Sequence, residues 1–374
     1  MTLPPELHLL IIDFLCDSAL DLKSCSYVSH LWRQRAILHL FHSVVVSTLS
    51  HTTIRLRIRS DTRTWVSLAN WDLLKESTHL TDVIQHLSFI FDAADIEGPE
   101  DMFLQPIPHS LPRLSVLEIR NCHPRSTIQY TRFVRSFLSL HQSLALTSIG
   151  NLLKHHDVSI EDTSVTENGS HVPIHSLTYG VNSLEIDHAL FLDRAAIFNL
   201  DKLQRLKVQT FSSDCIPILQ RFGTTLLHLE LLLFPDGIHV PYGVYPSSED
   251  LSVVSLAPNI TSLTLHTQYH VSSQRTLLRQ LARIAFTKPC MELRKVTLVL
   301  SVDDVWAIRS YSLDKTLTSF AQELLTITTI EVALSWRVQS SMNDFLFLVQ
   351  EVRDALPETD NMKILDVTQY EHYP

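Results

Sequence analysis

At 374 residues with 45% hydrophobic content, the chain can bury a large core, and its length suits one small module joined to one elongated domain. A formal net charge of −10, with no stripe of Lys and Arg to neutralise phosphates, argues against nucleic acid as a partner; Arg55, Arg57 and Arg59 read as a solvated strand edge. Only seven glycines are present, which disfavours phosphate-cradling loops, propellers and hairpin-rich sandwiches.

The first predicted element is a helix. Leu3-Pro4-Pro5-Glu6-Leu7 opens an apolar run that reaches Leu15. Proline loses no N–H bond in a first helical turn, and glutamate favours the positive end of the helix dipole. On a 3.6-residue wheel Leu7, Leu10, Ile11, Phe14 and Leu15 form one stripe. Leu9, Ile12 and Cys16 form a second stripe roughly opposite, and His8 and Asp13 are the polar positions. Such a helix is buried on both sides or exposed on one until a partner arrives, and the sequence leaves open which stripe faces inward. A secretory signal is not expected, because no basic segment leads the run and Glu6 and Asp13 interrupt it.

Asp17-Ser18 can end this helix and cap another; Leu22, Cys25, Ser29 and Trp32 then recur near helical spacing, with Tyr27, Val28 and Leu31 between them. Residues 1–42 therefore read as a bundle of two or three short helices, in which one stripe of the first helix packs on Leu22, Val28 and Trp32. The series Leu3-Pro4-x-Glu6-Leu7, then Ile11, Ile12 and Leu15, then Leu22, then Val28-Ser29-x-x-Trp32-Arg33 resembles an F-box, the helical module that docks on the Skp adaptor of cullin-RING ubiquitin ligases. The whole chain is similar to fungal F-box proteins with leucine-rich-repeat-like C-terminal regions. The likeness is good over residues 1–42 and loose beyond, and His30 departs from the Lys or Arg that the family commonly has between the Ser and the Trp. The resemblance implies an adaptor-binding surface drawn from Leu3, Pro4, Leu7, Ile11, Ile12, Leu15, Val28 and Trp32, no cofactor, and a protein target held by the remainder. The alternative from the residues is a helical cap that packs wholly on the chain's own core.

Residues 43–80 read as a connecting segment, with a short strand at Ser43-Val44-Val45-Val46 and a helix-like stretch around Trp65 to Leu74. From residue 81 a triplet recurs at intervals of mostly 23 to 35 residues: Leu87-x-Phe89, Leu117-x-Ile119, Leu177-x-Tyr179, Leu206-x-Val208, Leu229-x-Leu231, Leu263-x-Leu265, Val296-x-Leu298, Ile330-x-Val332 and Leu365-x-Val367. Three have a lead-in, Leu111-x-x-Leu114, Leu200-x-x-Leu203 and Ala257-x-x-Ile260, giving the L-x-x-L-x-x-L-x-L start of a leucine-rich repeat. The expected fold class is α/β: the helical module, then an irregular solenoid over 81–374 whose strands pair in parallel, with helices around Thr276–Phe286, Leu317–Leu325 and Asn343–Leu356. The long gap between Leu117 and Leu177 holds either a degenerate repeat near Leu146, which is favoured, or an insertion. Asp157–Val172 and Pro235–Asp250 read as loops, the second with Tyr242 and Tyr245 as recognition or anchoring residues.

No catalytic motif stands out. Among twenty histidines the best cluster, His155-His156-Asp157, has adjacent residues that point apart, and no H-E-x-x-H occurs. Asp303-Asp304 and Glu249-Asp250 fit helix caps or solvated turns. Cys16, Cys25, Cys122, Cys215 and Cys290 are scattered, odd in number and without C-x-x-C, as in a reducing intracellular compartment. No apolar run approaches the length of a membrane span. The expectation is therefore a binding protein with no enzyme activity and no metal. Residues between the triplet leucines, such as Glu118, Lys207, Glu230, Thr264 and Glu331, mix charge types and name no target.

Overall fold

The computed structural model describes residues 4–15, 18–47, 64–67, 77–90, 111–120, 137, 143–149, 172–181, 191–192, 198–208, 216–233, 254–267, 292–301, 313–335 and 342–370. Leu3, the arginines at 55, 57 and 59, the helix-like stretch after residue 67, the two predicted loops apart from Val172, the helix around Thr276, His155-His156-Asp157, the two carboxylate pairs and every cysteine except Cys25 lie outside them. This is an α/β protein with N-terminal helices and all-parallel sheet pairing, and it divides into two compact units, Met1–Leu200 and Asp201–Pro374.

The first unit begins with helices α1 (Pro5–Phe14), α2 (Ala19–Cys25) and α3 (His30–Leu40). Strands β1 (Ser43–Ser47), β2 (Thr64–Ser67), β3 (His86–Ile90), β4 (Val116–Arg120), β5 (Ser143–Ile149) and β7 (Ser176–Val181) follow, with a one-turn helix α4 (Thr78–Thr81) before β3. They pair in parallel in the order β2-β1-β3-β4-β5-β7, while two short strands, β6 (Val172–Pro173) and β8 (Phe198–Asn199), pair separately. Val44, Leu87, Leu117, Leu144 and Leu177 stand in one register row, and all are buried. The gap between Leu117 and Leu177 thus contains the favoured degenerate strand, β5. One expectation fails at Trp65: Thr64–Ser67 is a strand beside β1 rather than part of a helix, consistent with its β-branched and aromatic residues finding a parallel partner in Val44–Ser47.

In the second unit the strands β9 (Arg205–Val208), β10 (His228–Leu233), β11 (Ser262–Thr267), β12 (Lys295–Ser301), β13 (Thr329–Ser335) and β14 (Leu365–Tyr370) pair in parallel in chain order. Between them run α5 (Ile216–Phe222) with a 3-10 turn at Gly223–Thr225, α6 (Leu313–Glu323), α7 (Met342–Ala355) and α8 (Pro357–Asn361). The triplets align as predicted: Leu206, Leu229, Leu263, Val296, Ile330 and Leu365 form one row. All but Leu365, on the last strand, are buried. The intervening Lys207, Glu230, Thr264, Thr297, Glu331 and Asp366 form a row on the opposite face.

The lead-in residues show how successive strands are joined. Leu203, Leu226, Ile260, Leu293 and Ile327 are buried two residues before β9 to β13. At each of the four steps from β9 to β13 one carbonyl accepts two consecutive N–H groups of the next segment: Gln204 from Leu227 and His228, Leu227 from Thr261 and Ser262, Thr261 from Arg294 and Lys295, and Arg294 from Thr328 and Thr329, all at 2.8–3.1 Å. The backbone approach is close at Gly223, where a Cβ would lie 2.0 Å from the carbonyl oxygen of Leu256, so only glycine fits. The short α8 is held by Asp314 of α6, whose carboxylate accepts from the N–H groups of Glu358 and Thr359, each at 2.8 Å.

Candidate functional site

The helical module owes its shape to two serine caps and one small core. Ser18 Oγ accepts from the N–H of Asp21 at the start of α2, and Ser29 Oγ accepts from the N–H of Trp32 at the start of α3. The Ser-x-x-Trp spacing is therefore a capping geometry as well as a sequence signature. Ile12 of α1, Leu22 and Cys25 of α2, and Ala36 and Leu40 of α3 form the interior, with Leu15, Ala19, Trp32 and Phe41 packed against it.

That interior settles the orientation of α1. The stripe that contains Ile12 faces inward, with Ile12 0% exposed; the other stripe faces out, with Leu7 45%, Leu10 50%, Ile11 41% and Phe14 86% exposed. Among the residues expected at an adaptor surface, Pro4, Leu7 and Ile11 are on the outside, and Leu15 and Trp32 are half-buried against the core. Ile12 is a correction: nothing of it is left for a partner to touch. Val28 is another, in its expected packing role. It lies between the end of α2 and the Ser29 cap rather than on a core-facing turn, and it is 62% exposed. Leu10 and Phe14 belong to the outward surface and were missing from the expected set, although the helical wheel places them beside Leu7 and Ile11.

Polar contacts fix α1 against α3. Arg35 donates to both oxygens of Asp13 at 2.7 and 2.8 Å, and His39 Nε2 lies 2.7 Å from the first of these. Hydrogen bonds from Arg35 and then His39 hold the Asp13 carboxyl at about 2. Near the start of both helices the Trp32 indole N–H donates to His8 Nδ1 at 2.7 Å. Leu31 and Val28, beside this contact in sequence, are also exposed.

The second unit carries a different constellation, and its charges are organised where the sequence showed no theme. Glu230 Oε1 lies 2.6 Å from Lys207 Nζ, its register partner on β9, 2.5 Å from His266 Nε2 on β11, and accepts from the Tyr370 hydroxyl of β14 at 3.3 Å. Burial alone would raise the Glu230 carboxyl, but the His266 hydrogen bond and the Lys207 charge outweigh it and hold the group at about 2. Glu331 repeats the device, accepting from Thr297 at 2.7 Å and Thr368 at 3.0 Å with Lys295 at 3.0 Å. Lys207 and Tyr370 stand five strand steps apart, about 24 Å along a flat sheet. Their side chains nonetheless meet at 3.4 Å, so the sheet of this unit curves with its polar face inward.

No protein-family model matches the chain, and no curated protein is significantly similar to it. Among the described residues no group of three or more His, Cys, Asp or Glu could hold a metal ion, and no helix is long and apolar enough to cross a membrane.

Proposed function

We propose that the chain is the substrate-receptor subunit of a Skp-cullin-F-box type ubiquitin ligase, docking on the Skp adaptor through α1–α3 and presenting a protein target on a leucine-rich-repeat-like solenoid. In this reading it performs no catalysis, needs no cofactor or metal and works inside the cell; the ubiquitin chemistry belongs to other subunits. The observation that carries the proposal is the outward stripe of α1. A capping helix would turn Leu7, Leu10, Ile11 and Phe14 onto the chain's own core, whereas here they are open beside a module whose residue order resembles an F-box. The solenoid part is supported by the aligned triplets, the bifurcated carbonyls between coils and the curvature of the second unit. The test is co-expression of the full chain with the Skp adaptor. A stoichiometric complex on gel filtration is expected; a wild-type chain that folds and never binds the adaptor leaves a repeat-built scaffold with no ligase role.

A further inference from the structure

The polar strand face of the second unit is where a curved repeat array would offer its broadest surface, but the chain has placed its own side chain there. Tyr370, in the last described residue of β14, reaches back over three intervening strands: its hydroxyl donates to Glu230 on β10 at 3.3 Å and accepts from Lys207 Nζ on β9 at 3.4 Å. Its ring meets His266 edge-on, with centroids 5.1 Å apart. Two residues earlier on the same strand, Thr368 donates to Glu331 on the adjacent strand, so β14 is held locally by its neighbour and at long range by Tyr370.

We infer that Tyr370 is a latch that closes the polar strand face of the second unit by tying its last strand to its first two. Among the described residues β14 pairs with β13 alone, and a strand paired on one side is restrained further by a contact that bridges to the opposite end of the array. The closed latch also engages Lys207, whose half-buried ammonium lies 2.6 Å from Glu230 and 3.4 Å from the Tyr370 hydroxyl. A protein partner seated on this face therefore has to displace Tyr370 and meets the Lys207–Glu230 pair beneath it. The inference concerns the second unit alone and stands whether or not the module binds an adaptor.

The test uses the full chain in two variants. Tyr370→Phe keeps the ring on His266 and removes the hydroxyl; the backbone amides of 365–370 should exchange with deuterium about fivefold faster, while those of 295–301 keep the wild-type rate. Tyr370→Ala opens the cover; acetylation of the Lys207 amine by acetic anhydride should rise at least about threefold, with Lys202, exposed in the wild type, unchanged. Exchange at 365–370 that does not change, exchange that accelerates equally at 295–301, or a Lys207 labelling rate equal in wild type and Tyr370→Ala would each overturn the latch.

Discussion

Aspartate at Ile12 and aspartate at Ile11 should have opposite consequences, although the two residues are neighbours of the same type. Ile12 is fully buried among Leu22, Cys25, Ala36 and Leu40, the five residues that constitute the module's interior. Truncating such a side chain costs about 2–5 kcal/mol, and a carboxylate in its place adds several kcal/mol because the surrounding groups are apolar. A core of this size cannot absorb that loss. Ile11 lies one position, about 100°, around the helix and is 41% exposed, so its carboxylate stays hydrated and the fold should change by about 1 kcal/mol or less. Circular dichroism at 222 nm and gel filtration read the fold, and co-purification with the Skp adaptor reads docking. Ile12→Asp should lose helical signal or solubility; Ile11→Asp and Phe14→Asp should keep the wild-type melt and lose the complex. A well-folded Ile12→Asp would refute the assignment of inner and outer stripes, and Ile11→Asp and Phe14→Asp variants that co-purify at wild-type levels would refute docking through the outer one.

Leu229→Ala should cost about 2–5 kcal/mol in urea denaturation, as a truncation within a buried row; a shift of less than 1 kcal/mol would contradict the register described here. Gly223→Ala should cost about 1–3 kcal/mol, since its Cβ would meet the Leu256 carbonyl at 2.0 Å, and a wild-type melting temperature would show that the coils are not so close. Removing the α8 clamp with Asp314→Ala leaves two N–H groups without their acceptor and should cost about 1–3 kcal/mol, read as faster amide exchange at 357–361. Glu230 and Asp13 are both held at about 2, below ordinary values of 4.5 and 3.8, so their contributions are full above those ordinary values and drain as the pH falls towards 2. Glu230 should supply on the order of 2 kcal/mol and the more exposed Asp13 about 1 kcal/mol; Glu230→Gln should flatten the acid limb of stability between pH 4.5 and 2, and an unchanged slope would count against the cluster.

The strands were readable because burial of both flanking residues of a triplet imposes an apolar-polar-apolar pattern that few other structures share. Leu229-Glu230-Leu231 and its counterparts differ little from one another, and parallel stacking keeps them in register. The cap at Ser18 was readable for a similar local reason, whereas Ser29, read as one of a series at helical spacing, is the cap of α3. The orientation of α1 was not, because its two stripes are equally apolar and periodicity cannot choose between them. The choice rests on Asp13 meeting Arg35 and His39 and on His8 meeting Trp32, contacts between residues 22 to 26 positions apart. Arg35 and His39, four residues apart on one helix face, were the available signal for a carboxylate partner on α1.

The Tyr370 contact lies further beyond reach of the pattern. Repeat spacing predicts Lys207 against Glu230, since each triplet meets the next, but Glu230 and Tyr370 are 140 residues apart and on strands that are not neighbours. What brings them together is the curvature of the strand array, with its polar face inward. The bend draws β14 over β9 and β10, and the side chains on the strand face then decide what that closeness becomes. Unpaired carboxylates on both ends would repel; here one carboxylate meets an ammonium, an imidazole and a phenol. The strand face is thereby a self-complementary surface, which explains why its residues, taken singly along the chain, name no target: Lys207, Glu230 and Tyr370 are engaged with one another.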